Sequence, residues 1–163
     1  MRRSFLLIAV VLPLAGTACA HRSAPAQATQ AAQTAAAPAD SELARARRLW
    51  AEKGPKSYRY LYRASCFCYI RDELEIVVEN GRMTSARRTK DGDWVAETFW
   101  VAFPTVDELF DAIEKARREG TPVEARYDPE LGYPTDVTIG TMANDAGVRH
   151  ILRALEPLGQ RTI

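Results

Sequence analysis

Histidine and cysteine are scarce in this 163-residue chain, at two and three respectively. That scarcity leaves little for histidine- or thiol-based catalysis to use. No G-x-S-x-G nucleophile turn, phosphate-cradling P-loop or dinucleotide glycine fingerprint occurs, so the sequence implies no cofactor and points away from an enzyme. Charge of one sign is missing as well. With 22 Lys+Arg against 21 Asp+Glu, the net charge of +1 offers no field for a phosphate backbone, which excludes nucleic acid as a partner. The single long apolar run, Phe5 to Ala15, is too short to span a bilayer comfortably.

That run has a different meaning. Arg2 and Arg3 precede it and the small residues Gly16, Thr17 and Ala18 follow it, which is the three-part layout of a secretory signal. Ala18 and Ala20 offer a conventional peptidase site. Alternatively, small residues directly before Cys19 resemble a bacterial lipobox, in which the cysteine is acylated and becomes the new N-terminus. The lipobox reading divides the chain into a signal segment 1–19, an Ala-rich tether 20–40 and a domain 41–163. It uses up the odd cysteine and leaves Cys66 and Cys68 as a pair. The expected address is the bacterial envelope, lipid-anchored, on the outer membrane facing the periplasm where two membranes exist. Residues 20–40 contain no large apolar side chain and would reach about 25 Å as a flexible coil.

From Ser41 the patterning becomes that of a packed domain. Asp40 or Ser41 can cap a helix to Lys53, with Leu43, Ala46 and Trp50 on one stripe. From Ser57 to Cys68 the tyrosines 58, 60 and 62 with Ala64, Cys66 and Cys68 share one strand face. Leu74, Ile76 and Val78 lead into the Asn80-Gly81 hairpin signal, whose register predicts Val78 opposite Met83 and Glu73 opposite Arg88. Asp91-Gly92 marks a second turn, and Trp94 to Trp100 reads as another strand. Thr105-x-x-Glu108 is a capping box opening a helix with Val106, Leu109, Phe110, Ile113 and Ala116 inward. Two further strands follow around Ala125 and Val137, separated by the turn-rich stretch from Asp128 to Pro134. Residues 148–155 fit a helix and a strand equally by periodicity. Two helices and runs of strands without strand–helix alternation predict a single small α+β domain, the helices packed on a mostly antiparallel sheet.

Trp50, Ser57-Tyr58-Arg59-Tyr60, Cys66-Phe67-Cys68, Val78-Glu79-Asn80-Gly81, Thr105-x-x-Glu108-Leu109-Phe110-Asp111 and Tyr127-Asp128-Pro129-Glu130-Leu131-Gly132-Tyr133-Pro134 occur in one order. That order resembles DUF6174, a family of bacterial lipoproteins with a domain of unknown function, over about residues 48–157. The chain departs from the pattern at Gly140 and at Ala146-Gly147. The resemblance implies a final strand at 148–155 and carries no activity with it.

Three groups of side chains are candidate sites. Cys66 and Cys68, two apart on a strand, have Cα atoms about 6.6 Å apart, near the upper edge of disulfide geometry. They read as a structural disulfide, as two core thiols, as a strained exchangeable pair, or as metal ligands with His150 if the last strand reaches the first. The loop holding Asp128, Glu130, Tyr133 and Asp136 reads either as a self-contained turn or as a binding loop for an envelope protein or small ligand. The membrane, through the lipid at Cys19, is the third expected partner.

Overall fold

The computed structural model describes residues 26–66, 70–143 and 146–159. The signal segment, Cys19 and Cys68 lie outside the described residues. The chain divides into two units, Met1–Ala36 and Ala37–Ile163. Described residues of the first unit are helical; the second unit carries the sheet.

Helix α1 spans Ala26–Lys53. It begins upstream of the predicted cap at Asp40 or Ser41, within the stretch read as a tether, where alanine supplies the highest helix propensity of any residue. No helix among the described residues is long and apolar enough to cross a membrane. Strands β1 (Tyr58–Ser65), β2 (Leu74–Glu79) and β3 (Arg82–Arg88) come next, followed by a 3-10 helix over Glu97–Ala102 and helix α2 (Val106–Arg118). Strands β4 (Val123–Tyr127), β5 (Pro134–Thr141) and β6 (Ala146–Pro157) complete an α+β domain. The six strands form one sheet in the order β3-β2-β1-β6-β5-β4, and every neighbouring pair is antiparallel.

Residues 148–155 lie within β6, which inserts between β1 and β5. Ala154 has φ 52° where β6 bulges against β1. The β2–β3 hairpin keeps Val78 opposite Met83, but a bulge next to that pair places Leu74 opposite Arg88. The predicted Glu73–Arg88 pair is therefore off by one residue. Glu73 instead binds Arg153, and Arg88 lies 3.2 Å from Asp72.

One sheet face is apolar. Tyr58, Tyr60, Tyr62, Leu74, Ile76, Val78, Val137 and Leu152 are buried there with Leu109, Phe110 and Ile113 of α2 and Leu43, Ala46 and Trp50 of α1. The capping box of α2 is complete, Thr105 accepting from the Glu108 N–H and the Glu108 carboxylate accepting from the Thr105 N–H. The tyrosines reach past the sheet to hold the start of that helix. Tyr58 accepts from the Val106 N–H at 3.1 Å, and Tyr60 donates to the Pro104 carbonyl at 2.7 Å. Tyr58→Phe leaves a buried N–H without a partner and should cost about 1.5 kcal/mol in a denaturant titration; a loss under about 0.5 kcal/mol would show that water replaces the hydroxyl there.

The β5–β6 hairpin favours glycine at position 140. Gly140 has φ 83°, and a Cβ there would lie 2.5 Å from the Ala146 carbonyl oxygen. Its cross-strand partner is Gly147. Two glycines facing one another permit a backbone approach that any side chain would block.

Candidate functional site

Cys66 follows directly after β1 and continues the buried tyrosine face. It is half-buried and disulfide-bonded. The strand pairing sets His150 opposite Ala64, so the last strand does come beside the cysteine end of the first. His150 is only 9% exposed, and its Nδ1 lies 2.8 Å from the Tyr62 hydroxyl. Burial lowers its pKa to about 4, keeping the ring neutral at pH 7. The neutral ring carries one proton, and which of its nitrogens holds it sets whether Nδ1 accepts from the Tyr62 hydroxyl or donates to it. Among the described residues no group of three or more His, Cys, Asp and Glu side chains is arranged to hold a metal ion.

The loop from Asp128 to Asp136 is spread out by the fold rather than gathered. Asp128 Oδ1 accepts from the Glu130 and Leu131 N–H groups at 3.0 and 2.8 Å, and the Asp128 N–H donates to the Tyr133 carbonyl. Tyr133 is buried with its ring centroid 6.4 Å from that of Trp50, and its hydroxyl accepts from the Leu155 N–H beside the β6 bulge. Asp136 lies among the charged residues of the open sheet face. There Arg149 binds it at 2.8 and 2.5 Å and holds its carboxyl below the usual range. Of the four candidate side chains only Glu130 is exposed, next to Pro129 at the loop tip. The backbone and side chain of Asp128 and the ring of Tyr133 are thus engaged within the fold.

The residues that periodicity misread are Trp94 to Trp100. Gly92 turns the chain, its N–H donating to the Arg88 carbonyl at 3.0 Å. Trp94 then bridges Arg87, and the Val95 N–H donates to Ala86 at 2.9 Å. Pairing stops there, and Glu97–Ala102 is a 3-10 helix and not the predicted strand. The physical reason is spacing: Val95, Trp100 and Phe103, which turn toward the core, occupy no period-two face. Phe103 is buried 5.8 Å from the Tyr62 ring, and Trp100 Nε1 donates to the Val95 carbonyl at 2.9 Å.

What this segment leaves outside is apolar. Trp94 is 69% exposed, Phe99 42% and Val101 95%, while the 3-10 helix buries none of its residues. Between this lip and the end of β1 lies an apolar cavity of about 80 Å³, lined among the described residues by Ala64, Cys66, Phe99, Phe103 and Val148. Arg87 covers one side of the Trp94 ring, 5.9 Å from its centroid. The signal in the sequence was Trp94, Phe99, Trp100, Val101 and Phe103 crowded into ten residues with no shared face.

In comparisons with known proteins, the model of a family of unknown function, DUF6174, matches residues 42–157. No curated protein and no solved structure matches.

Proposed function

We propose, from the premise that the chain belongs to the DUF6174 family of unknown function, that it is an envelope lipoprotein whose domain binds a protein partner without catalysis. Residues 1–19 direct export, Cys19 takes the lipid, and the domain works at the membrane surface facing the periplasm. The observation that carries the binding reading is the lip, where Trp94, Phe99 and Val101 are exposed within eight residues of chain and Phe99 lines an apolar cavity. Exposed large hydrophobics with a pocket at one of them are a setting in which interface anchors are found. A partner protein suits the lip better than the bilayer does. Asp91, Asp93 and Glu97 balance Arg87, Arg88 and Lys90 around it, so no basic stripe faces anionic lipid.

The test is photocrosslinking in cells from an unnatural side chain at Val101, with Glu130 at the loop tip as the control position. One discrete protein adduct from position 101, lost when Trp94→Ser is added, is the expected result. Adducts from position 130 alone would overturn the placement, and lipid adducts from position 101 would replace the protein partner with the membrane.

A second reading is carried by the Cys66 disulfide at the edge of the cavity. Its partner in this reading is Cys68, and the protein exchanges the bond with a partner dithiol, which is oxidised as the disulfide is reduced. Intact mass after alkylation of the folded protein decides it. Two added groups after mild reduction support exchange; modification only after unfolding makes the bond structural.

A further inference from the structure

The two edges of the sheet are treated differently. The β3 edge is covered over Ala86–Arg88 by the Trp94 bridge and the Val95 N–H, whereas β4 at the other edge has no neighbouring strand beyond it among the described residues. The Gly140 N–H donates to the Pro122 carbonyl, and Thr135 Oγ1 donates to the Arg126 carbonyl. Together with the β4–β5 register this sets the alternation: backbone groups of Glu124 and Arg126 face β5, and those of Val123, Ala125 and Tyr127 face outward. Among the described residues these outward groups have no hydrogen-bond partner. The irregularity in the β4–β5 ladder places its extra residue, Thr135, in β5, so β4 itself stays regular. Neither a lysine nor a proline within Val123–Tyr127 blunts the edge.

The strand reads Val123-Glu124-Ala125-Arg126-Tyr127, with opposite charges placed symmetrically about Ala125. We infer that β4 pairs antiparallel with β4 of a second copy across a two-fold axis at Ala125, continuing the six-stranded sheet from one molecule into the next. In this register Ala125 opposes its own copy and Val123 opposes Tyr127 as hydrogen-bonded pairs, which satisfies every outward backbone group of the strand. Glu124 then falls opposite Arg126 of the second copy, at the non-hydrogen-bonded positions where side chains approach most closely. Both exposed side chains are used, and each charge pair occurs twice. Other registers are penalised. Sliding by two residues one way sets Glu124 against Glu124, and sliding the other way sets Arg126 against Arg126. On the opposite face the half-buried Val123, Ala125 and Tyr127 extend the apolar layer across the axis. The inference uses no residue of the lip and stands independently of the partner proposed there.

Sedimentation equilibrium on the full chain in detergent tests it, with thermal melts to confirm that each variant folds. The wild-type chain should double its monomer protein mass with rising concentration. Glu124→Arg and Arg126→Glu should each weaken the dimer about tenfold or more by facing like charges, and the double variant E124R/R126E should restore it. A wild-type monomer at all concentrations overturns the inference. So does a dimer that neither single variant weakens, or a double variant that is not rescued.

Discussion

Gly132→Ala should destabilise the domain by about 3 kcal/mol or more, combining left-handed backbone strain with overpacking. Gly132 has φ 81°, and a Cβ there would sit 2.3 Å from the Ala46 carbonyl oxygen and 3.0 Å from Leu49 Cβ. This is where the loop after β4 rests directly on α1, with Tyr133 and Trp50 packed alongside. A control separates the two causes. Gly81 has a similar φ of 78° but nothing within 4 Å of its Cβ position, so Gly81→Ala should cost only about 1 kcal/mol of backbone strain. Denaturant titration of both variants measures the difference. Equal losses would mean that the loop does not rest on the helix as described.

The second large effect is acid sensitivity through His150. Its pKa is lowered to about 4 from 6.5, by burial. In the unfolded chain the imidazole binds a proton as pH falls below about 6.5, while in the folded domain it stays neutral down to about 4. The unfolded state therefore binds more protons across that window, so stability is full above pH 6.5 and declines on acidification. The accumulated loss is about 3 kcal/mol by pH 4. Asp136, whose pKa is lowered by Arg149, has its limb below the usual carboxylate value and so in a more acidic window. Unfolding free energies of the wild type and of His150→Gln at pH 7 and pH 4.5 check the assignment. The variant should lose most of the difference between the two pH values; an unchanged slope would remove His150 as its source.

Local signals in the chain were legible wherever one physical rule acted alone. Thr105 and Glu108 formed the complete capping box that their spacing implies, and Asn80-Gly81 turned the β2–β3 hairpin. The tyrosine face of β1 was visible as alternation, although only the fold shows its hydroxyls engaging Val106, Pro104 and His150. Where two arrangements compete over one register, pattern fell short. A bulge adjoining the Val78–Met83 pair costs little and shifts everything beyond it, which moved Arg88 from Glu73 to the position opposite Leu74. Residues 94–100 read as a strand because aromatic residues favour strands, but the β3 edge accepts only one bridge before the backbone coils into a 3-10 helix. At the proposed binding loop, composition showed carboxylates beside a tyrosine. It did not show that Asp128 would turn its carboxylate onto its own loop or that Tyr133 would be drawn under α1.

In the function proposed, the lip formed by Trp94, Phe99 and Val101 is the contact surface for a protein partner. Amide hydrogen exchange of the full chain in its native membrane fraction, compared with the purified chain in detergent, tests it most directly. Slowed exchange confined to residues 94–103 in the membrane fraction, with residues 128–136 unchanged, is the expected result. Equal exchange of residues 94–103 in both preparations would contradict the account.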